Sequence, residues 1–385
     1  MAATEDAPQA SGAPGWGSVV CAALALPGLA VAAEMDVVAG QGLLAVRWLS
    51  YRDRQPGLER IRVDAPSLQL NLPVGSNWSV DAIGTRDSVS GASPRWHSAI
   101  SGASRMSDRR EALDLRVTRH AERSSASLAL ARSDEHDYRS RALTAEWRTS
   151  SDDQNRSWQL GAGLARDRIG SSDDPTLDER RRTRSLSVGV SQVLSRTDVA
   201  QATLSHATGQ GYFSDPYKAL DARPRARHQT TLVLRWNHHV EALDASLRSR
   251  WRIYVDSFGV RAHSVDVEWA ASLTERVSLS PSLRYHTQSA AWFYYDPVYS
   301  FLGEPYPPGW LESPPRYLSP DARLSAFGAW TLGIKLAVQW TRHWSADLKL
   351  QAYEQRGAWR AGGHGSPGLA PLKASVVQVG FVHRF

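Results

Sequence analysis

From residue 43 onward, apolar and polar residues alternate along the chain with a period of two. Between Leu324 and Trp340 the even positions are Leu324, Ala326, Gly328, Trp330, Leu332, Ile334, Leu336, Val338 and Trp340. The odd positions include Arg323, Ser325, Thr331, Gly333, Lys335 and Gln339. Side chains of a strand point alternately to its two faces, so this segment has one greasy face and one polar or small face. The same ladder recurs with Leu113, Leu115 and Val117 against Asp114, Arg116 and Thr118, and with Leu186, Val188 and Val190 against Ser185, Ser187 and Gly189. About sixteen such segments are expected. They fall at 43–52, 66–73, 77–86, 110–120, 124–132, 140–149, 156–166, 183–193, 198–208, 228–237, 241–255, 260–272, 276–287, 321–340, 344–355 and 372–385.

A soluble sandwich also alternates, so connection lengths must separate it from a membrane barrel. Connections after even segments are short, as at Gly75-Ser76-Asn77, Arg196-Thr197-Asp198, Asn237-His238-His239 and Thr341-Arg342-His343. Most of those after odd segments are long: 87–109, 167–182, 209–227, 288–320 and 356–371. Short periplasmic turns and long extracellular loops on an even-stranded barrel produce that asymmetry. Trp78, Trp147, Trp158, Trp236, Trp269, Trp340 and Trp344 lie close to the expected short turns, where one membrane interface would hold an aromatic girdle. The fold expected is an all-β transmembrane antiparallel barrel. The last segment carries Val377, Val379, Phe381 and Phe385, and a final strand ending in Phe resembles the assembly signal of bacterial outer-membrane barrels, with Phe381 and Phe385 as its aromatic positions.

Composition narrows the class further. The 385 residues are 42% hydrophobic and 22% charged with a single Cys, which argues against disorder, a disulfide scaffold and a Cys-rich metal module. Mean hydropathy is negative, and no apolar run past residue 35 is long enough for a spanning helix. The 15 Trp residues are then the oddity, and a barrel explains them. At the N-terminus, the apolar run Val19–Val31 followed by Ala32-Ala33 has the shape of a secretory leader, although the usual basic n-region is missing. The expected organisation is a signal peptide at 1–33 and one barrel domain at 34–385. Cleavage would remove Cys21, Glu5 and Asp6, raising the formal charge from +6 to +8. Only Lys218, Lys335, Lys349 and Lys373 are lysines, and the many arginines are interspersed with acids without a basic helix or stacking motif, so nucleic acid is not an expected partner.

Parity assigns candidate lumen residues. With Leu243, Ala245, Leu247, Trp251 and Ile253 turned to lipid, Arg248, Arg250 and Arg252 face inward, as do Asp266 and Glu268 on the next strand. A hairpin centred near Phe258 would oppose Arg250 to Asp266 and Arg248 to Glu268. Two readings stand: a salt-bridged wall that braces the lumen, or a charged lining that selects solutes. Outward-facing Arg residues suit lipopolysaccharide phosphates.

Three further motifs are read as outer loops. They are Asp87-Ser88-Val89-Ser90-Gly91-Ala92-Ser93-Pro94, Ser133-Asp134-Glu135-His136-Asp137-Tyr138 and Gly211-Tyr212-Phe213-Ser214-Asp215-Pro216-Tyr217-Lys218. With Arg223-Pro224 and Gln288 to Tyr294, they resemble an uncharacterised family of proteobacterial outer-membrane barrels, classed as a domain of unknown function. The resemblance implies an integral outer-membrane protein and supplies no ligand or activity. Asp87, Asp134, Glu135, Asp137 and Asp215 would suit calcium if they converged at the mouth. The plainer reading is that each anchors its own turn. The aromatic tract from Tyr294 to Pro320 is expected to fold inward or across the loops, or to bind a sugar or apolar ligand. No Ser/His/acid spacing, phosphate loop or paired-Cys motif points to an enzyme, and no cofactor is called for. The expected function is a conduit for small polar or charged solutes, or a surface-binding barrel with a plugged lumen. Expected partners are outer-membrane lipid, lipopolysaccharide and the barrel assembly machinery; the oligomeric state is left open.

Overall fold

The computed structural model describes residues 41–94, 103–218, 221–296, 313 and 315–385; the expected leader at 1–33 lies outside them. Sixteen strands form one closed barrel. In chain order they are β1 (Leu43–Gln55), β2 (Leu58–Val74), β3 (Trp78–Pro94), β4 (Ala103–His120), β5 (Ser124–Asp134), β6 (Tyr138–Ser150), β7 (Arg156–Ile169) and β8 (Glu179–Val193). The second half comprises β9 (Asp198–Gly211), β10 (Ala226–Val240), β11 (Ala245–Asp256), β12 (Arg261–Thr274), β13 (Val277–Gln288), β14 (Phe327–Gln339), β15 (Trp344–Arg356) and β16 (Leu372–Arg384). Each strand pairs antiparallel with its neighbours in sequence, and β1 closes on β16 from Leu43 opposite Arg384 to Arg54 opposite Lys373. Closure leaves no strand edge unpaired. Gly42 and Phe385 exchange backbone hydrogen bonds of 2.8 and 3.0 Å, fastening the C-terminal residue to the start of the first strand.

The strands overrun several expected ends. Segment 87–109 is largely ladder, because β3 and β4 stay paired as far as Pro94 opposite Ala103. The motif Asp87 to Pro94 is therefore strand, and Ser133-Asp134 and Tyr138 likewise end β5 and begin β6. Above the apolar belt an outward residue has no lipid to face, so alternation fades while backbone pairing continues. The outer connections β1–β2, β5–β6 and β11–β12 are also tight, the first turning at Gly57 and the last at Gly259, both with positive φ. Asn237-His238-His239 belongs to β10, and the turn comes at Glu241–Leu243, ending on left-handed Asp244. Leu243 sits in that turn, and Ala245 is buried beside it rather than facing out.

Faces follow parity. On β14, Trp330, Leu332, Ile334 and Leu336 are all exposed and point outward. Trp78, Trp147, Trp158, Trp236, Trp340 and Trp344 are 42–53% exposed near the short turns. Inside, Leu49, Tyr51, Val63, Ala65 and Val376 make a buried apolar patch across β16, β1 and β2. The far wall is ionic.

Candidate functional site

The ionic wall is built by β10 to β15. The β11–β12 hairpin is centred on Phe258, and its register sets Arg248 opposite Glu268, Arg250 opposite Asp266 and Arg252 opposite Ser264. Arg248 Nη1 donates to Glu268 Oε1 at 3.0 Å, and Arg250 Nη2 donates to Asp266 Oδ1 at 3.0 Å. The neighbouring strand adds Arg284, which stands opposite Asp266 and donates to the same Oδ1. On the other side Arg235 stands opposite Arg250, and its Nη1 lies 3.4 Å from Gln201 Oε1. Arg252 lies over the Tyr254 ring at 5.6 Å. Lys335 on β14 and Lys349 on β15 oppose one another on the same inward parity. Along this wall Arg235, Arg248, Arg250, Arg252, Arg284, Lys335 and Lys349 outnumber Asp266, Glu268 and Asp347. The arrangement is at once a brace and a lining of net positive charge, since Asp266 is shared by two guanidinium groups.

Above this wall the loops lock together. Asp321, only 1% exposed, accepts from Arg223 Nη2 at 2.7 Å and from Arg323 Nε at 2.7 Å. Arg323 also reaches Asp215 Oδ2 at 2.7 Å, and Arg223 Nε reaches Asp221 Oδ1 at 2.9 Å. Burial pushes the Asp321 carboxyl up, but Arg323, Lys218 and Arg223 outweigh it and hold it well below the usual carboxylate range. Beside the ions, Phe258, Phe293, Tyr254 and Leu324 form an apolar cluster, with Phe213, Tyr294 and Tyr317 packed against it. Backbone bridges join Ala222 to Leu318 and Tyr294 to Ser319. The described ends of the aromatic tract thus pack across the loops, while Tyr299, Phe301, Tyr306 and Trp310 lie outside the described residues.

The five carboxylates read as a calcium candidate are not brought together. Asp87 faces inward on β3, buried against Arg110 Nε at 2.6 Å. Asp134 faces outward on β5, paired with Arg132 and with Arg139 at 3.8 Å. Asp215 caps its own turn, accepting from Tyr217 N at 3.1 Å while it holds Arg323. Glu135 and Asp137 sit in the β5–β6 turn, where the Glu135 amide donates to Tyr138 O and Asp137 O accepts from Gly170 N. Among the described residues no group of three or more His, Cys, Asp or Glu is placed to hold a metal ion. Local charge pairing and Asx turns separate these groups. Of the remaining motif residues, Tyr138 accepts from Arg181 Nη2 at 3.1 Å, and Tyr217 OH joins the β7–β8 loop through Ser172 N at 2.9 Å. Pro216 and Lys218 complete the Asp215 turn, and Ser90 and Gly91 pair with Arg62 and Ile61 in the β2–β3 ladder.

An even-stranded closed antiparallel barrel with an apolar outer belt, one Trp-rich rim and a polar lumen defines an integral barrel of the outer-membrane type. A family described as "Protein of unknown function (DUF3570)" matches residues 172–382, and the chain belongs to it. The Gly211–Lys218 motif falls inside that match; the motifs at Asp87 and Ser133 precede it. No curated protein matches the chain. Among solved structures it is similar to a bacterial polysaccharide outer membrane secretin, with TM-score 0.51, 9% identity, and coverage of 91% of this chain and all of that one. The siderophore receptor PirA from Pseudomonas aeruginosa gives TM-score 0.47 at 11% identity, with 87% of this chain covered and 61% of the receptor. CdiB from Acinetobacter baumannii gives 0.47 at 9%, with 88% and 60% covered. At these identities the likeness is one of fold.

Proposed function

We propose that the protein is an outer-membrane conduit of a Gram-negative bacterium, passing small charged solutes with a preference for anions. The observation that carries this reading is the excess of inward cations on the β10–β15 wall. A ring or wall of one charge sign lowers the barrier for the opposite ion and raises it for the like one. Sixteen strands are the size at which porins keep a water-filled lumen. Export through the expected 1–33 leader, assembly through the C-terminal Phe381 and Phe385, and a non-enzymatic role belong to the same reading. Arg250→Ala removes one wall cation while Arg284 still neutralises Asp266. In planar bilayers under a salt gradient, its reversal potential is expected to move toward zero from an anion-selective value. Unchanged selectivity would leave the wall a brace only.

The interlocked loops favour a second reading, a binding barrel whose mouth is closed by Phe258, Phe293 and the Asp321 ion network. It predicts electrical silence from folded protein.

A further inference from the structure

The outer surface of β5 to β8 breaks the apolar belt in an ordered way. Register places Arg132 opposite Arg141, Arg141 opposite Arg166 and Arg166 opposite Arg182, so four arginines on four consecutive strands form one rung. All four are exposed and share the outward parity of Leu143 and Leu164, which lie directly below on β6 and β7. The next rung outward carries Arg139, Arg168 and Arg180 beside Asp134. Like charges directly opposed on neighbouring strands, about 4.8 Å apart, destabilise a sheet. Acids relieve only the flanks: Asp134 pairs with Arg132 and Arg139, and Asp178 with Arg168 at 2.8 Å. Arg141, Arg166 and Arg182 have no carboxylate partner among the described residues. An uncompensated row of this kind is expected where a ligand supplies the anions.

Its height fixes which ligand. Arg166 is as many residues from the short-turn end of its strand at Arg156 as Trp330 is from Trp340 on the opposite wall. At the height where β14 carries Trp330, this sector carries guanidinium groups on the long-loop side. Guanidinium forks bind phosphate oxygens in pairs and are stronger in that role than a point charge. We propose that Arg141, Arg166 and Arg182 form a lateral site for the phosphates of an outer-leaflet glycolipid, the lipid A part of lipopolysaccharide, whose acyl chains would lie along Leu143 and Leu164. This rests on the membrane placement of the barrel and not on its conductance.

The test uses the full chain in detergent, with diphosphorylated lipid A as probe and native mass spectrometry as readout. Wild type is expected to retain lipid A, and the double variant R141Q/R166Q to bind it at least tenfold more weakly while keeping heat-modifiable gel mobility. In lipid-free detergent that variant should be as stable as wild type or more so, because the opposed charges are gone. R141K/R166K is the second variant: it keeps charge and loses the forks, and intermediate binding is expected. Dephosphorylated lipid A, inorganic phosphate and phosphatidylglycerol should each fail to match lipid A. Equal binding by R141Q/R166Q, equal retention of phosphatidylglycerol, or no retention by wild type would overturn the site. A barrel that stays heat-modifiable in those cases leaves the conduit reading standing, whereas an unshifted, unfolded protein would sink the membrane placement itself.

Discussion

At the residue scale, the charged groups of the mouth and lumen are held in pairs whose readability from sequence depends on separation. Arg248 with Glu268 and Arg250 with Asp266 are legible because a tight hairpin fixes register once its centre is known. Arg284 is not, since its parity on β13 is otherwise Ser, His and Gln and announces no charged face. The Asp215–Arg323 contact spans 108 residues, and nothing local signals it. The loop network makes a pH prediction. Because the folded-state pKa of Asp321 is shifted down, its stabilisation is present above the unfolded carboxylate range near about 4 and is lost only as pH falls through the lower folded value. Loop amides of residues 289–296 and 315–326 should therefore stay protected from hydrogen exchange at pH 4 and open below it. Asp321→Asn leaves Arg223 and Arg323 buried without their shared anion, a loss of about 3–5 kcal/mol. Local exchange should rise at neutral pH with the barrel's gel shift intact; unchanged protection would show that the apolar cluster alone holds the loops.

At the element scale, strand existence is readable wherever lipid dictates every second residue, and strand ends are readable only at the short turns. The outer halves of β3 and β4 carry Ser, Asp, Gly and Arg, residues that pair through backbone without repeating an apolar face. Their ladder is set by closure with neighbours, a tertiary fact. The same parity assigns opposite consequences to an outward position on β14 and an inward one on its neighbour β15. Ile334 is 42% exposed on the outer belt, and Ile334→Arg should lower unfolding free energy in urea titration by about 2–4 kcal/mol. Gln351→Arg, on the inward parity of β15, should change it far less. Equal losses at the two sites would mean that the outward face is not in lipid.

At the scale of the whole molecule, negative mean hydropathy and 15 tryptophans are reconciled by one closed sheet. Across the membrane belt alternate strand residues face outward and are mostly greasy, the others face a largely polar interior, and six Trp side chains, Trp78, Trp147, Trp158, Trp236, Trp340 and Trp344, stand near the short-turn rim. That architecture followed from period and turn spacing, while the lumen's net sign and the interlocked mouth required the register of all sixteen strands. The measurement that bears most directly on the conduit is a planar-bilayer recording of purified, heat-modifiable wild-type protein under a salt gradient. Stepwise openings with a reversal potential on the anion side are the predicted result; a silent bilayer, or a cation-selective current, would contradict it.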